Sequence, residues 1–400
     1  MTQVIRSAAE AEAVAGELAR TFAAGAADRD RTRRLPGTEL DELSRSGLLG
    51  IAVPARFGGA EVPATTLATV FAILAAADAS IAQIPHSHFV FLDALRRTGS
   101  EAQQERFFAE ALAGARFANA QSERGGRTIT DDATTLSPRE DGTYVLDGVK
   151  YYSTGALFAD WLVVRAVRAG VPVPDGAPVP KALVYLRRET PGVAVDDDWD
   201  GMGQRTTASG TVRLEGAVVD EDAVVAYNAL FEGPTTYGAR AQLLHAALDV
   251  GLARGALAAG TEQAGRARPW FEAGVDRAAD DPLLIQRAGE LEIAVRAAEA
   301  LLREAGAAID AAEAALTAET AAAASIATAV AKVAASRASV DVASALFELG
   351  GTRAASDSLN LSRFWRDART HTLHDPERWK VQHIGRWTLS RTPPPRHGLL

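Results

Sequence analysis

The sequence predicts an α+β protein in which an N-terminal α-helical domain, a middle antiparallel β-domain and a C-terminal bundle of long helices follow one another. Two observations indicate this class. Alanine-rich segments with leucine, isoleucine and valine at helical spacing occupy both ends of the chain. Between them, residues 125–222 are rich in valine, threonine, glycine and aspartate, with short β-branched runs separated by turn residues. The predicted domain boundaries are residues 1–122, 123–231 and 232–400.

The N-terminal domain begins with a capped helix. Ser7 is a candidate N-cap, because its hydroxyl can accept a hydrogen bond from the free backbone N–H groups of the following helix. The pair Gly58 and Gly59 indicates a tight turn, and Pro85 interrupts a long apolar helix. Helices are predicted over residues 8–27, 38–45, 63–95 and 101–112.

The middle and C-terminal domains differ in their periodicity. Strands are predicted over residues 143–146, 161–165, 182–186 and 210–214. Residues 170–180 contain four prolines and are predicted to form an exposed loop. Long helices are predicted over residues 239–264, 281–308 and 322–349. Their recurring aliphatic residues favour close-packed helices over low-complexity disorder.

Composition excludes several classes of function. The net charge of −9 and the absence of a long basic run argue against a nucleic-acid surface. The 400 residues include no cysteine, which excludes disulfides, thiolate catalysis and iron–sulfur ligation. The N-terminus lacks a signal peptide, and no uncharged apolar run reaches membrane-spanning length. We therefore expect a cytoplasmic protein that binds neither nucleic acid nor membrane.

One C-terminal stretch combines three arginines, an aromatic pair and two histidines: Arg363-Phe-Trp-Arg-Asp-Ala-Arg-Thr-His-Thr-Leu-His-Asp-Pro376. In a helix, His371 and His374 project from one face, just before Pro376 ends the regular backbone. Both imidazoles can then reach one pocket, which favours the floor of a cofactor and substrate site. The alternative is a solvated basic helix end with two capping histidines. No metal is expected, since no zinc-binding spacing lies nearby.

Three motifs resemble the acyl-CoA dehydrogenase superfamily over essentially the whole chain. Residues 47–59 are similar to its early Pro…Gly-Gly turn, and residues 147–155, Asp-Gly-Val-Lys-Tyr-Tyr-Ser-Thr-Gly, to its flavin-contacting strand. Residues 202–212, Met-Gly-Gln-Arg-Thr-Thr-Ala-Ser-Gly-Thr-Val, are similar to its loop between β-strands. The resemblance implies an acyl-CoA dehydrogenase-like fold.

Four further motifs are similar to the flavin-dependent monooxygenases of this superfamily, typified by dibenzothiophene monooxygenase and the sulfur-acquisition oxidoreductases. They are Ala79-Ser-Ile-Ala-Gln83 followed by His88, Asn119-Ala-Gln-Ser-Glu123, Ala267-Arg-Pro-Trp270 and Arg369-Thr-His-Thr-Leu-His-Asp-Pro376. The resemblance implies that a flavin C4a-hydroperoxide, formed from reduced FMN and O₂, oxygenates an organosulfur substrate of thioether or sulfoxide type. Since no nicotinamide-binding fingerprint is present, a separate NAD(P)H:flavin reductase is expected to supply the reduced FMN.

Two departures from the dehydrogenases bear on cofactor and reaction. Ala264-Gly-Arg-Ala-Arg268 replaces the Arg-x-Gln-Phe-Gly segment that reaches the FAD of a neighbouring subunit, which favours FMN over FAD. Asp375 stands where the dehydrogenases usually present a catalytic glutamate. It is shorter and directly precedes Pro376, so we do not assign it as that base. The long C-terminal helices imply, by resemblance, a homotetramer.

The resemblance also assigns roles to individual residues. The candidate catalytic residues are His88, Asn119, Thr154 and His374. The candidate cofactor-binding residues are Gln121, Ser122, Tyr152, Ser153, Thr154, Arg268, Arg353 and His371. The two arginines are candidates for the phosphate, because a guanidinium forms paired charge-assisted hydrogen bonds. Candidate walls of the substrate pocket are Phe91, Leu92, Trp199 and Phe231.

Each assignment has a structural alternative. His88 alone fits a satisfied core histidine, and Arg268 or Arg353 alone fits a surface ion pair. Thr154 fits an ordinary strand residue and Asn119 a helix-end cap. For the whole protein, the alternatives are an amine N-hydroxylase on the same scaffold, an FAD-dependent acyl-CoA dehydrogenase, and a helical scaffold whose flavin site has decayed.

Overall fold

The computed structural model describes residues 2–400. Its N-terminal part contains the helices α1 (Ala8–Thr32), α2 (Gly37–Arg45), α3 (Ala64–Ala77), α4 (Ala79–Gln83), α5 (His86–Thr98) and α6 (Glu101–Leu112). Ser7 caps α1 as expected, accepting a hydrogen bond from the N–H of Glu10. The helix expected over residues 63–95 is divided into three. Asp78 ends α3 in an extended conformation and caps α4, and Pro85 directly precedes α5.

The middle of the chain forms one sheet. Its strands are β1 (Phe117–Ala120), β2 (Thr135–Pro138), β3 (Tyr144–Lys150), β4 (Trp161–Arg168), β5 (Lys181–Arg187), β6 (Val193–Val195), β7 (Val212–Val219) and β8 (Val224–Ala226). Seven lie in the order β6-β7-β3-β2-β4-β5-β8, and β1 pairs with β4. The sheet is mixed, which corrects the expected antiparallel domain: β1 and β2 run parallel to β4. Parallel pairing needs a long connection, and the segments that separate β1 and β2 from β4 provide it.

The C-terminal part is a bundle of α7 (Tyr237–Ala264), α8 (Pro282–Ala314), α9 (Ala318–Gly350), α10 (Ser362–His371) and α11 (Glu377–Ser390). Central in it is α7, which packs against α3, α8 and α9. A Cβ at Gly251 or Gly255 would lie 2.5 Å from a carbonyl oxygen of α3, so glycine permits this close approach. Among residues 2–400, α7 is the one helix long and apolar enough to cross a membrane, but 83% of its most apolar window is buried inside the protein.

The C-terminal motif is only partly helical. Because α10 ends at His371, the expectation that His374 lies on the same helix is wrong. Residues 372–375 form a turn in which the N–H of His374 donates to the carbonyl oxygen of His371 at 3.0 Å. Pro376 disfavours helical backbone at Asp375, so the helix cannot continue through this segment. The turn nevertheless brings both imidazoles against His245 of α7.

Candidate active site

A cavity of about 530 Å³ lies where the N-terminal helices, the sheet and the C-terminal helices meet. Its volume falls within the roughly 300–1,000 Å³ that ligand pockets occupy. Within residues 2–400, buried polar atoms of Gln83, Gln204 and Thr370 on its wall have no hydrogen-bond partner. Leaving buried polar groups unpaired is costly, so these atoms fit a bound ligand that supplies the missing partners.

Residues of the sheet and its loops form one wall of the cavity. Asn119 of β1 donates from Nδ2 to the carbonyl oxygen of Tyr152 at 3.2 Å. The hydroxyl of Thr154 lies 2.8 Å from that of Ser209. Tyr152 has a left-handed backbone, with φ of 56°, and its half-exposed ring meets Trp199 edge-on. Together with Ser122, these residues form a polar wall with one exposed aromatic pair.

Two residues expected to bind the cofactor face elsewhere. Gln121 donates from Nε2 to the carbonyl oxygen of Val163 at 2.8 Å and does not line the cavity. Ser153 is fully buried behind the wall, and its N–H donates to the carbonyl oxygen of Gly210. Tyr152 has a left-handed backbone, so its neighbour Ser153 is turned behind the wall, while the hydrogen bond to Val163 holds Gln121 away from the cavity. Neither residue lines the cavity, and their contact with the cofactor stays a prediction.

Four histidines, which we call the histidine cluster, form the opposite wall: His86, His245, His371 and His374. The ring of His245 lies between the rings of His86 and His374, with centroid distances of 3.9 and 4.0 Å. His86 donates from Nε2 to the carbonyl oxygen of Ala241 at 3.0 Å. Burial lowers the pKa of His86 to about 3 and lowers the pKa of His245 well below its usual value. At neutral pH these two rings are therefore uncharged.

A buried carboxylate supports the histidine cluster from behind. Nδ1 of His371 lies 2.5 Å from Oδ1 of Asp249, and Nε2 of His371 lies 2.9 Å from Nδ1 of His245. Oδ2 of Asp249 accepts hydrogen bonds from Lys332 at 3.0 Å and Ser336 at 2.8 Å. Burial acts to raise the pKa of Asp249, but Lys332 and His371 outweigh it and lower that pKa to about 2. Within residues 2–400, no group of three or more histidines and carboxylates is arranged to hold a metal ion.

His88, expected to be catalytic, lies in the core instead. Its Nε2–H donates to the carbonyl oxygen of Leu49 at 2.8 Å, and its Nδ1 accepts from the N–H of Phe117 at 3.4 Å. Burial lowers the pKa of His88 to about 4. Residues two apart on a helix do not face the same side, so His86 reaches the cavity and His88 does not. The structure thus supports the alternative of a satisfied core histidine.

A second, outer cavity of about 960 Å³ shares Leu373 and His374 with the first. Arg369 lines it, donating to the Thr372 hydroxyl at 2.9 Å, and has no carboxylate partner within residues 2–400. Neither cavity includes Arg268 or Arg353, which are exposed. Their expected contact with the phosphate is therefore not made within one subunit. Arg369 was missed by sequence reasoning, although it belongs to the same C-terminal motif.

The expected apolar walls are mostly absent from the cavity. Trp199 lines it, and its indole N–H donates to the carbonyl oxygen of Gln204 at 2.9 Å. Phe91 and Leu92 lie in a buried cluster between the N-terminal helices and the sheet, and Phe231 packs at its edge. A helix presents only one face to the cavity, and on α5 that face carries His86 and Ser87.

Asp375 is unsuited to abstract a proton from a substrate. It is buried and forms an ion pair with Lys380. Burial acts to raise the pKa of Asp375, but its contacts with His374, Lys332 and Lys380 outweigh burial and lower it. A carboxylate with a lowered pKa is a weak base, so Asp375 is not assigned as the catalytic base.

Helical, sheet and helical layers with a polar cavity at their junction define the acyl-CoA dehydrogenase fold. Models of the acyl-CoA dehydrogenase N-terminal, middle and C-terminal domains match residues 8–115, 118–217 and 243–376. The chain is 33% identical over 394 residues to dibenzothiophene monooxygenase of Mycolicibacterium goodii, covering 95% of this chain and 94% of that protein. It is 32% identical over 390 residues to the probable FMNH₂-dependent monooxygenase SfnC of Pseudomonas putida, covering 94% of each.

A solved structure agrees with these relatives. The fold matches FMN-bound TdsC from Paenibacillus sp. A11-2 with a TM-score of 0.91 and 33% sequence identity, covering 98% of this chain and 100% of TdsC. The chain therefore belongs to the acyl-CoA dehydrogenase superfamily, in its flavin-dependent monooxygenase branch.

Proposed function

We propose that the protein is the oxygenase of a two-component, FMN-dependent monooxygenase that transfers one oxygen atom of O₂ to an organosulfur substrate of thioether or sulfoxide type. The observation that carries the proposal is the cavity itself. Asn119 and Thr154 on one wall face the histidine cluster on the other, across a cavity of about 530 Å³. The names of the relatives point to FMN and to sulfur compounds.

The residues present fit FMN. Ser122, Tyr152 and Thr154 on the sheet wall would hold the flavin ring, and the unpaired polar atoms of Gln83 and Gln204 supply hydrogen-bonding partners. Arg369 in the outer cavity is the candidate within one subunit for the phosphate. We further propose a cytoplasmic homotetramer, in which the exposed Arg268 and Arg353 reach the cofactor of a neighbouring subunit.

Bound in its reduced form, FMN would supply the two electrons with which one oxygen atom is transferred to the substrate and the other leaves as water. Asn119 and Thr154 donate hydrogen bonds as neutral groups. His374, with 38% of its side chain exposed, lies between the two cavities and exchanges a proton with the departing oxygen. Bound flavin and substrate would have to keep bulk water out of the cavity, because water would otherwise divert the reaction to hydrogen peroxide.

A coupled assay tests this function. The protein is mixed with FMN, an NAD(P)H:flavin reductase and isotopically heavy O₂, and offered thioethers, sulfoxides and amines in parallel. We expect one heavy oxygen atom in an S-oxygenated product by mass spectrometry. Heavy oxygen on nitrogen alone would establish the N-hydroxylase alternative, and reduction of bound FAD by an acyl-CoA would establish the dehydrogenase. Hydrogen peroxide as the single product with every thioether, sulfoxide and amine would contradict both oxygenation activities.

A further inference from the structure

The hydrogen bonds of the histidine cluster determine which ring atoms carry protons. An ionised carboxylate only accepts, so His371 carries its proton on Nδ1 and donates it to Asp249. Nε2 of His371 is then an acceptor, to which Nδ1–H of His245 donates. Nε2 of a neutral His245 is therefore unprotonated. The cavity wall thus holds a proton acceptor that two hydrogen bonds connect to a buried carboxylate.

We propose that Asp249, His371 and His245 form a proton relay that serves the reaction in the cavity, with His245 exchanging protons there and Asp249 acting as a positioning residue. The inference rests on the proposed function. When one oxygen atom of O₂ is transferred to sulfur, the other leaves as water, so protons have to be taken up and released at the cavity as that oxygen departs. Nε2 of His245, unprotonated and on the cavity wall, is a group that can take up such a proton and return it.

The transfer conserves protons at every step. A proton taken up at Nε2 of His245 moves the Nδ1 proton of the same ring to Nε2 of His371. His245 is then neutral again, and His371 is an imidazolium beside the carboxylate of Asp249. The reverse transfer returns the proton to the cavity through Nε2 of His245. Only N–H bonds form and break, so no oxidant or further reactant is needed.

Lys332 controls how readily the relay holds its extra proton. It shares the carboxylate of Asp249 with His371, and together with burial it lowers the pKa of His371. The remaining titratable groups around the relay are His86 on α5, His374 and Asp375 after α10, and Lys380 on α11. Asp375 and Lys380 form an ion pair with each other. Lys332 is therefore the charge that most directly opposes an imidazolium at His371.

Two variants with opposite expected effects separate a relay from a structural contact. Lys332→Met removes the competing cation and should raise the pKa of His371. Lys332→Met combined with Asp249→Asn removes both ions of the buried pair, so neither is left uncompensated, and should lower that pKa again. Nitrogen-15 spectra of histidine-labelled, FMN-free protein, recorded across pH, report these changes without depending on activity.

Turnover of the FMN-loaded protein provides the second measurement. The double variant should bind FMN with unchanged affinity but form oxygenated product roughly 10²-fold more slowly, and release more hydrogen peroxide. Lys181→Met is the matched control, because it removes a lysine from a carboxylate in the sheet, Asp132, and lines neither cavity. It should retain the wild-type rate and the wild-type pKa of His371.

The outcomes distinguish the two proposals. If Lys332→Met leaves the protonation of His371 unchanged, or if the double variant forms product at the wild-type rate, the relay is wrong while the monooxygenase function stands. If the wild-type protein forms no oxygenated product, the proposed function is wrong. The relay then has no role in that reaction either. Loss of product in the double variant with the expected changes in the spectra supports both.

Discussion

Two networks of buried polar groups in this protein differ in the kind of charge they contain. In the β-domain ion cluster, Lys150 lies 2.6 Å from Glu123 and 3.3 Å from Asp132. Asp132 also pairs with Arg165 at 2.8 Å and with Lys181 at 2.7 Å. These five residues are joined by salt bridges, and none of them lines either cavity. Their role is to attach the segment after β1 to β3, β4 and β5.

Behind the histidine cluster lies one buried ion pair, between Asp249 and Lys332, and burial keeps His86 and His245 of the cluster neutral. Those imidazoles line the cavity. A network of permanent charges fixes geometry, since losing one partner leaves an uncompensated buried ion. A network that ends in neutral imidazoles can change its protonation without losing the fold. This difference predicts which substitutions affect activity and which affect stability.

The largest effect is expected from His374→Ala. Removing the imidazole between the two cavities should lower the rate of product formation by roughly 10²–10⁴-fold, the range of a lost general acid. Its side chain is partly exposed, so the free energy of unfolding should change little. His383→Ala, on α11 outside both cavities, is the matched control. Equal turnover by the two variants, measured with saturating FMN, would remove His374 from the mechanism.

Lys150→Met is expected to act on stability instead. The side chain is fully buried, and its loss leaves Glu123 and Asp132 short of a positive charge, which costs about 3–5 kcal/mol. Urea unfolding measures this loss, while turnover per folded molecule should stay unchanged. Lys181→Met removes a more exposed partner of Asp132 and should cost clearly less. A large loss of turnover in fully folded Lys150→Met protein would contradict the distinction between the two networks.

Arg369→Ala tests the phosphate contact. A lost charge-assisted hydrogen bond should weaken FMN binding by about 1.5–3 kcal/mol, or roughly ten- to a hundredfold, in a fluorescence titration. Arg386→Ala, on α11 and outside both cavities, should leave the affinity unchanged. If Arg369→Ala binds FMN normally, the phosphate lies elsewhere, and Arg268 and Arg353 of a neighbouring subunit become the next variants to measure.

The smallest expected effect is on how the free energy of unfolding changes with pH. The folded pKa of His86, about 3, lies below its usual value of 6.5, so the unfolded chain binds protons that the native state excludes. Stability should therefore fall as pH falls below about 6.5, by about 1.4 kcal/mol per pH unit for each such histidine. Urea titrations of His86→Gln should show a slope reduced by that amount.

The carboxylate of Glu123 should affect the free energy of unfolding in a different pH range from that of His86. Burial acts to raise the pKa of Glu123, but its hydrogen bond with Lys150 outweighs burial and lowers it below its usual value of 4.5. The stability that this carboxylate contributes is present above that value and is lost as pH falls through the lower folded pKa. Glu123→Gln should therefore keep the wild-type slope between pH 6.5 and 4.5. A changed slope in that interval would show that the two networks are coupled.

Local periodicity explains how much of the fold was predictable. The long helix expected over residues 239–264 is Tyr237–Ala264, and the strand expected over residues 161–165 is Trp161–Arg168. In the site, His88, Asn119, Thr154 and His374 were expected to converge, with His371 facing the same cavity, and all of them except His88 line it. Their individual roles remain predictions. These positions could be predicted from the sequence because each belongs to a motif that is contiguous in the chain.

The direction in which a side chain faces, and the pairing of residues far apart in the chain, were harder to predict from the sequence. On α5, His86 and not His88 reaches the cavity. His245 and Asp249 were overlooked, although their spacing of four residues places two polar groups on one face of an otherwise apolar helix. That spacing is the feature of the sequence from which the two residues could have been predicted as site residues. Their partner His371 lies 126 residues beyond His245, a separation across which helical periodicity carries no information.

By itself, the sequence determined the order of helical, sheet and helical segments, the superfamily resemblance and the importance of the C-terminal motif, because these depend on residues that are close along the chain. Only the tertiary structure decided that β1 and β2 run parallel to β4, that His88 belongs to the core, and that Asp249 supports the histidine wall. The physical reason is that burial and hydrogen-bond partners are properties of segments brought together by packing. The same histidine is a core residue or part of an active site depending on which distant groups surround it.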